Sequence, residues 1–235
     1  MDVTWLEPGQ LFFPPVSAAL EDPNGLLAIG GDLAPARLLL AYRSGIFPWY
    51  SDGEPILWWS PQPRGVLFTD ELKISRSLRR RLASHPFTVH VDRDFAAVIR
   101  QCSEPRSYAE STWITREMQT AYIQLHELGY AHSVECYQGD TLVGGLYGIG
   151  LGRLFFGESM FHTATDASKV AFAYLTRLMA SFGSPIIDCQ MGNPHLQTLG
   201  LREIPREAFM AIVAEHGQAD QQIDWRQVPS ELAPW

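Results

Sequence analysis

The chain has 235 residues, 46% of them apolar and 19% charged, with 26 acidic against 18 basic side chains and a formal net charge of −8. Such a length allows one large domain or two unequal ones, and the acidic balance excludes non-specific nucleic-acid binding by the molecule as a whole. No run approaches the roughly 20 apolar residues of a membrane span, the start Met1-Asp2-Val3-Thr4-Trp5 lacks the basic region of a secretory signal, and three scattered cysteines make no disulfide framework, so a cytoplasmic protein is expected.

Residues 1–64 are punctuated by proline, glycine and tryptophan, as in Phe13-Pro14-Pro15, Asp22-Pro23-Asn24-Gly25 and Gly30-Gly31-Asp32. This predicts turns and short elements, hence a small N-terminal domain of irregular structure with one short helix from Pro35 to Arg43. Residues 65–235 carry the regular patterns and form the second expected domain. A strand at Gly65–Thr69 precedes a helix at Ser75–Ala83, a strand at Phe87–Val91 and a helix at Phe95–Cys102. Thr115 caps an amphipathic helix in which Met118, Ala121, Tyr122, Leu125 and Leu128 share one face, and Gly129 stops it. Three strands follow at His132–Tyr137, Thr141–Tyr147 and Leu154–Phe161, the first two joined through Gln138-Gly139-Asp140. A helix from Asp166 to Ser181, closed by Gly183, leads to a last strand at Ile186–Gln190. The order β-β-β-α-β predicts an α+β fold with one mixed sheet flanked by helices.

Alternation along that last strand puts Asp188 and Gln190 on one face and Cys189 on the other. The pair is either satisfied by neighbouring backbone or serves chemistry, as a carboxylate that orients an amide or takes a proton from an attacking amine. Glu158 lies inside the apolar run Phe155-Phe156-Gly157-Glu158-Ser159-Met160-Phe161, where an acid is seldom buried without a partner. It either reaches solvent at a strand end or holds an ammonium or hydroxyl group in a pocket. Lys73, Arg76, Arg79, Arg80 and Arg81 put five of the 18 basic residues in nine positions. On a helix Lys73, Arg76 and Arg80 fall within about 60° of one another, opposite Ile74, Leu78 and Leu82. Such a stripe suits solvent or a phosphate backbone. Trp49, Trp58, Trp59 and Trp113 fit a core or a stacking platform for a base.

Other motifs fail. Gly148-Ile149-Gly150-Leu151-Gly152 runs into Arg153 and a strand, so it is not a dinucleotide fingerprint. No Gly-Lys-Ser/Thr phosphate loop exists, and His126, His132 and Cys136 lack the spacing of a zinc site. Cys189 with His195 is a weak imitation of a thiol hydrolase, because Cys189 points away from its polar neighbours.

Longer segments carry a resemblance. Pro23-Asn24-Gly25-Leu26-Leu27-Ala28-Ile29-Gly30-Gly31-Asp32-Leu33, Gly45-Ile46-Phe47-Pro48-Trp49, Trp58-Trp59-Ser60-Pro61, Thr112-Trp113-Ile114-Thr115, Gly157-Glu158-Ser159-Met160-Phe161 and Ile187-Asp188-Cys189-Gln190 are similar to the leucyl/phenylalanyl-tRNA–protein transferase family of the bacterial N-end rule pathway. The resemblance runs from about Phe13 to Phe209. It implies a small N-terminal domain and a C-terminal domain resembling the GNAT acyltransferase fold. It also implies transfer of leucine or phenylalanine, less readily methionine, from Leu-tRNA or Phe-tRNA to proteins beginning with lysine or arginine, which marks them for degradation. The ester is already activated, so no cofactor or metal is expected; catalysis needs positioning, a deprotonated amine and stabilisation of an oxyanion.

By the same resemblance Asp188 and Gln190 form the catalytic pair, with Glu158 at the aminoacyl-adenosine end. The amine proton passes to Gln190 polarised by Asp188, directly to Asp188 or Glu158, or through a ribose hydroxyl. Trp49 and Trp113 match aromatic residues around the terminal adenosine. Phe155, Leu146, Met160 and Ile187 are expected to line the pocket for the transferred side chain, with Leu146 where methionine is expected in the family. Arg76, Arg79 and Arg80 match the family's basic cluster for the acceptor stem. A monomer that does not contact membranes is expected.

Overall fold

A computed structural model describes residues 3–104 and 113–235. In the N-terminal part the proline and glycine punctuation yields short elements: β1 (Thr4–Leu6), β2 (Leu26–Gly30), α1 (Pro35–Arg43), β3 (Phe47–Pro48) and β4 (Leu57–Trp59). The four strands form one sheet in the order β1-β2-β4-β3. Pro35 opens α1, where its missing N–H costs nothing. Trp58 is fully buried and its Nε1 donates to the Gly30 carbonyl at 2.9 Å, so it belongs to the core.

The remaining elements are β5 (Arg64–Phe68), α2 (Arg76–Ala83), β6 (Thr88–Val91), α3 (Phe95–Ser103), α4 (Arg116–Glu127), β7 (Ala131–Gln138), β8 (Thr141–Leu151), β9 (Leu154–His162), α5 (Ala167–Ser181), β10 (Ile186–Asp188), α6 (Pro194–Gln197), β11 (Arg202–Ile204) and α7 (Arg206–His216). Seven strands make a second sheet, ordered β11-β5-β10-β9-β8-β7-β6. Its pairs are antiparallel except β9 with β10, which run parallel because α5 carries the chain back across the sheet. The fold is thus α+β with a mixed sheet flanked by helices. Among the described residues no helix is long and apolar enough to cross a membrane.

Local signals set the helix starts. The side chains of Ser75, Asp94 and Thr115 accept the backbone N–H groups of Leu78, Ala97 and Met118. Met118, Ala121, Tyr122 and Leu125 are buried along α4, whereas Leu128 is 55% exposed. Leu128 follows the last helical residue, so the predicted apolar face ends one turn early.

Strand alternation divides the interior into two cores on opposite faces of the seven-stranded sheet. Val66, Tyr147, Phe156 and Ile186 pack with α1, α3 and α4, while Leu67, Leu146, Phe155 and Ile187 pack with α2 and α5. The glycine-rich run of β8 is explained by close approach. A Cβ at Gly148 would sit 2.2 Å from the Phe156 carbonyl oxygen, and one at Gly150 would sit 2.7 Å from the Trp225 indole nitrogen.

Two irregularities prepare a site. β9 extends to His162, but only Phe155 and Phe156 pair with β10, at Ile187 and Asp188, after which the strands part. At the same level Tyr147 pairs with Ser159 and Gly148 with Gly157, leaving Glu158 as the extra residue of a β-bulge.

Candidate active site

A cavity of about 850 Å3 opens where β9 and β10 separate. Leu146, Met160, Phe172 and Leu175 give it an apolar wall on the α5 side, while Phe47, Trp49, Trp113 and Tyr147 give it an aromatic wall on the other. Glu158 and Gln190 also line it. Trp49 is 41% exposed and rests edge-on against Trp59, whose Nε1 donates to the Trp49 carbonyl at 2.7 Å. Among the described residues Trp49 thus keeps part of its ring surface uncovered at the cavity.

The bulge turns Glu158 towards α1 and α4. The Tyr42 hydroxyl donates to Glu158 Oε1 at 2.7 Å, the Tyr122 hydroxyl lies 3.2 Å from Oε2, and the two phenols contact each other; the two hydroxyl hydrogens and the carboxyl's own proton serve these three contacts. Gln190 Nε2 donates to Glu158 Oε1 at 2.9 Å. Burial pushes the Glu158 carboxyl up to about 8; the Asp188 charge adds to the rise, and the two tyrosine hydrogen bonds and Arg64 oppose it. Glu158 thus titrates near neutral pH, where its ionised form can take a proton and its protonated form can give one.

Asp188 is placed differently. Arg64 grips it with two parallel hydrogen bonds, Nε to Oδ1 at 2.8 Å and Nη2 to Oδ2 at 2.7 Å. Arg64 is itself fully buried between the Phe47 and Phe209 rings and donates to the Gly45 carbonyl at 3.1 Å. The expected strand alternation stops at Asp188, because Gln190 has φ +65° and lies beyond the strand. Asp188 accepts the Gln190 backbone N–H at 3.0 Å, while the Gln190 amide turns to Glu158 instead. Asp188 therefore fixes the loop that carries Gln190, and the direct contact expected between the two side chains is replaced by Gln190 with Glu158.

Not every predicted position reaches the cavity. Leu146, Met160, Trp49 and Trp113 line it. Phe155 and Ile187 do not; they are register partners, fully buried in the core around α5. Phe172 and Leu175 stand in the wall instead, and their only sequence signal was helical apolar spacing, which a core residue shares. Thr112 of the tryptophan motif lies outside the described residues. Cys189 packs towards the α5 core, and burial holds its thiol well above the usual cysteine range, so it is protonated and a poor nucleophile.

Sequence reading missed Arg64, Tyr42 and Tyr122. A lone arginine before a strand and two tyrosines on amphipathic helices have no distinctive spacing, and only the tertiary fold brings them to the acids.

Arg76, Arg79 and Arg80 project from α2 into solvent, with Leu78 and Leu82 buried beneath. Among the described residues none of these three arginines has an acidic partner; Arg81 lies 3.8 Å from Asp166. Asp92, His126 and His132 form a cluster that excludes Cys136. None of the three lines the cavity. Their ring nitrogens already bond within the protein: His132 Nδ1 to Asp92 Oδ2 at 2.7 Å, His126 Nδ1 to the Ala131 carbonyl at 2.8 Å.

Comparison with known proteins identifies the family. Residues 66–214 match the family described as leucyl/phenylalanyl-tRNA protein transferase, and residues 31–62 match that family's N-terminal domain. The chain is 57% identical to the leucyl/phenylalanyl-tRNA–protein transferase of Stutzerimonas stutzeri strain A1501, over 95% of this chain and 99% of the relative. It is 56% identical to that of Pseudomonas fluorescens strain SBW25, over 91% and 95%. The enzyme of Azotobacter vinelandii is likewise 56% identical, over 95% and 99%. The structure of L-PGS from Bacillus licheniformis superposes with a TM-score of 0.42 at 12% identity, over 82% of this chain and 73% of that one, a likeness too distant to argue from. The chain belongs to the leucyl/phenylalanyl-tRNA–protein transferase family and is a transferase.

Proposed function

We propose that this protein moves leucine or phenylalanine, and less readily methionine, from aminoacyl-tRNA to the terminal amine of proteins that begin with lysine or arginine, marking them for degradation. The observation that carries this reading is a proton-exchanging acid, Glu158, lining a cavity with one apolar and one aromatic wall. The apolar wall of Leu146, Met160, Phe172 and Leu175 suits a leucyl or phenylalanyl side chain. Trp49 and Trp113 suit the terminal adenosine, which is held by stacking. Arg76, Arg79 and Arg80 offer unpaired charge for the acceptor stem.

In this reading the acceptor's amine nitrogen attacks the ester carbonyl carbon. A carbon–nitrogen bond forms, the ester carbon–oxygen bond breaks, and the tRNA leaves as a 3′ alcohol. Glu158 in its ionised form takes the amine's proton and passes it to the departing 3′ oxygen, which leaves as the alcohol. An N-terminal amine titrates near about 8, and Glu158 is held at about 8, so the transfer is close to balanced. Gln190 keeps one amide hydrogen on Glu158 and has a second for the developing oxyanion. Asp188 acts through the loop, holding Gln190 in place. Residues 1–64 supply Tyr42 and Trp49, and residues 65–235 supply the parted strands, so both expected domains build one site. Charged tRNA is a cytoplasmic substrate, and the three free cysteines suit that compartment.

Incubation with labelled leucyl-tRNA and a peptide beginning with arginine tests the reading. Label should appear on the peptide's amine as an amide, and a peptide beginning with alanine should stay unlabelled. Absence of transfer with both substrates intact would overturn the proposal.

A further inference from the structure

Beside the main cavity lies a smaller one of about 480 Å3, lined wholly by polar residues. None of them has a part in the transfer step described above. His162, Thr163, Ser168 and His195 line both cavities, so the two are continuous. At its far side is Asp166, which faces Arg81 of α2 at 3.8 Å and Lys169 at 3.8 Å. Through Asp166 the small cavity therefore borders Arg81 of α2 on one side and opens into the site between the parted strands on the other.

The lining chemistry is specific in kind. The one acid, Asp166, has its charge offset by two cations, while Lys169 keeps further ammonium hydrogens to donate. Ser168 is buried and its hydroxyl meets His162 Nδ1 at 3.3 Å, which orients that imidazole. Thr163 and Thr165 add hydroxyls, and His195 adds a second ring. Many donors around one cation, with no apolar wall, match an anion with several acceptor oxygens rather than a side chain or a base.

We propose that this groove holds a backbone phosphate of the single-stranded 3′ end of the donor tRNA, between the acceptor stem on α2 and the terminal adenosine in the main cavity. The proposal rests on the aminoacyl-tRNA reading and deepens it. Lys169 is the principal contact, and His195 is the second. Burial lowers the His195 pKa first, and the neighbouring Lys169 and His162 lower it further. A bound phosphate counters those two charges and favours the donating, protonated ring.

Three donors separate the contributions: leucyl-adenosine, which has no phosphate, leucyl-CCA trinucleotide, and leucyl-tRNA, each with an arginine-starting peptide. Lys169 is 30% exposed on the first turn of α5, so truncation leaves the core intact. In Lys169→Ala the ratio of kcat/KM for leucyl-CCA to that for leucyl-adenosine should fall about tenfold, as loss of one charge-assisted contact implies. The salt dependence of trinucleotide binding should flatten by about 0.7 in slope, and Lys169→Arg should restore both. An unchanged ratio overturns the subsite. Equal losses with all three donors show a structural role and overturn it too, and a change confined to the KM of the peptide assigns the groove to the acceptor instead. Absence of transfer by the wild-type protein from any donor overturns the underlying reading, and the subsite with it.

Discussion

Glu158 and Asp188 are both buried acids on the same face of one sheet, and they are treated in opposite ways. Asp188 meets a guanidinium that satisfies both its oxygens, whereas Glu158 meets two phenols and an amide, none of them charged. Charge compensation makes the first acid a structural pin. Its absence leaves the second titrating near neutral pH, able to take up or release a proton. The lesson is that proximity to a cavity does not make a carboxylate chemical; the charge state of its partners does.

Breaking the pin should have the largest effect. Arg64→Ala leaves Asp188 buried without its cation and should cost about 3–5 kcal/mol, read from the denaturant midpoint. Arg64→Met combined with Asp188→Leu should recover much of that stability without recovering transfer, because Gln190 loses its anchor.

Glu158→Gln sharpens the other half. The folded value of about 8 lies above the ordinary 4.5, so the native state retains a proton that the unfolded chain releases. The stability from this group is fully present below about pH 4.5, falls as pH rises, and levels off above about pH 8, a change on the order of 5 kcal/mol. The glutamine variant should lose that slope in melts across the range. Its transfer rate should drop about 100-fold, as for a missing general base.

Charges in water should behave unlike either acid. Arg76→Ala with Arg80→Ala should change stability by less than about 0.5 kcal/mol yet weaken leucyl-tRNA binding and flatten its salt dependence, while sparing leucyl-adenosine. If the small donor suffers equally, the stripe is structural. The smallest effect should come from Leu146→Met, which keeps volume but loosens the apolar wall. The leucine-to-phenylalanine ratio in competition should move by less than about tenfold.

The sequence made the fold legible wherever the signal was local. The Thr115 cap, the buried leucines of α2 and the three strands before α5 all lie where local signals put them. Glu158 and Asp188 drew notice because an acid in an apolar strand is rare. Their partners did not, because Arg64 is 124 residues from Asp188 and Tyr42 is 116 from Glu158, and no spacing rule reaches so far. The alternation argument for Gln190 failed because a left-handed residue ended the strand. The bulge that aims Glu158 was equally invisible, since an inserted residue in a ladder is defined only by the partner strand.

Arg64 has a mechanical consequence as well. Its three hydrogen bonds and two ring contacts join the Gly45 turn and Phe47 to β10 and to Phe209 of α7. Segments from both ends of the chain are thereby tied to the strand that bears Asp188. Pulling β3 or β10 away would expose this arginine and its carboxylate, which couples the stability of the two sheets. The geometry of the candidate site therefore depends on segments far apart in the chain being held together by one side chain.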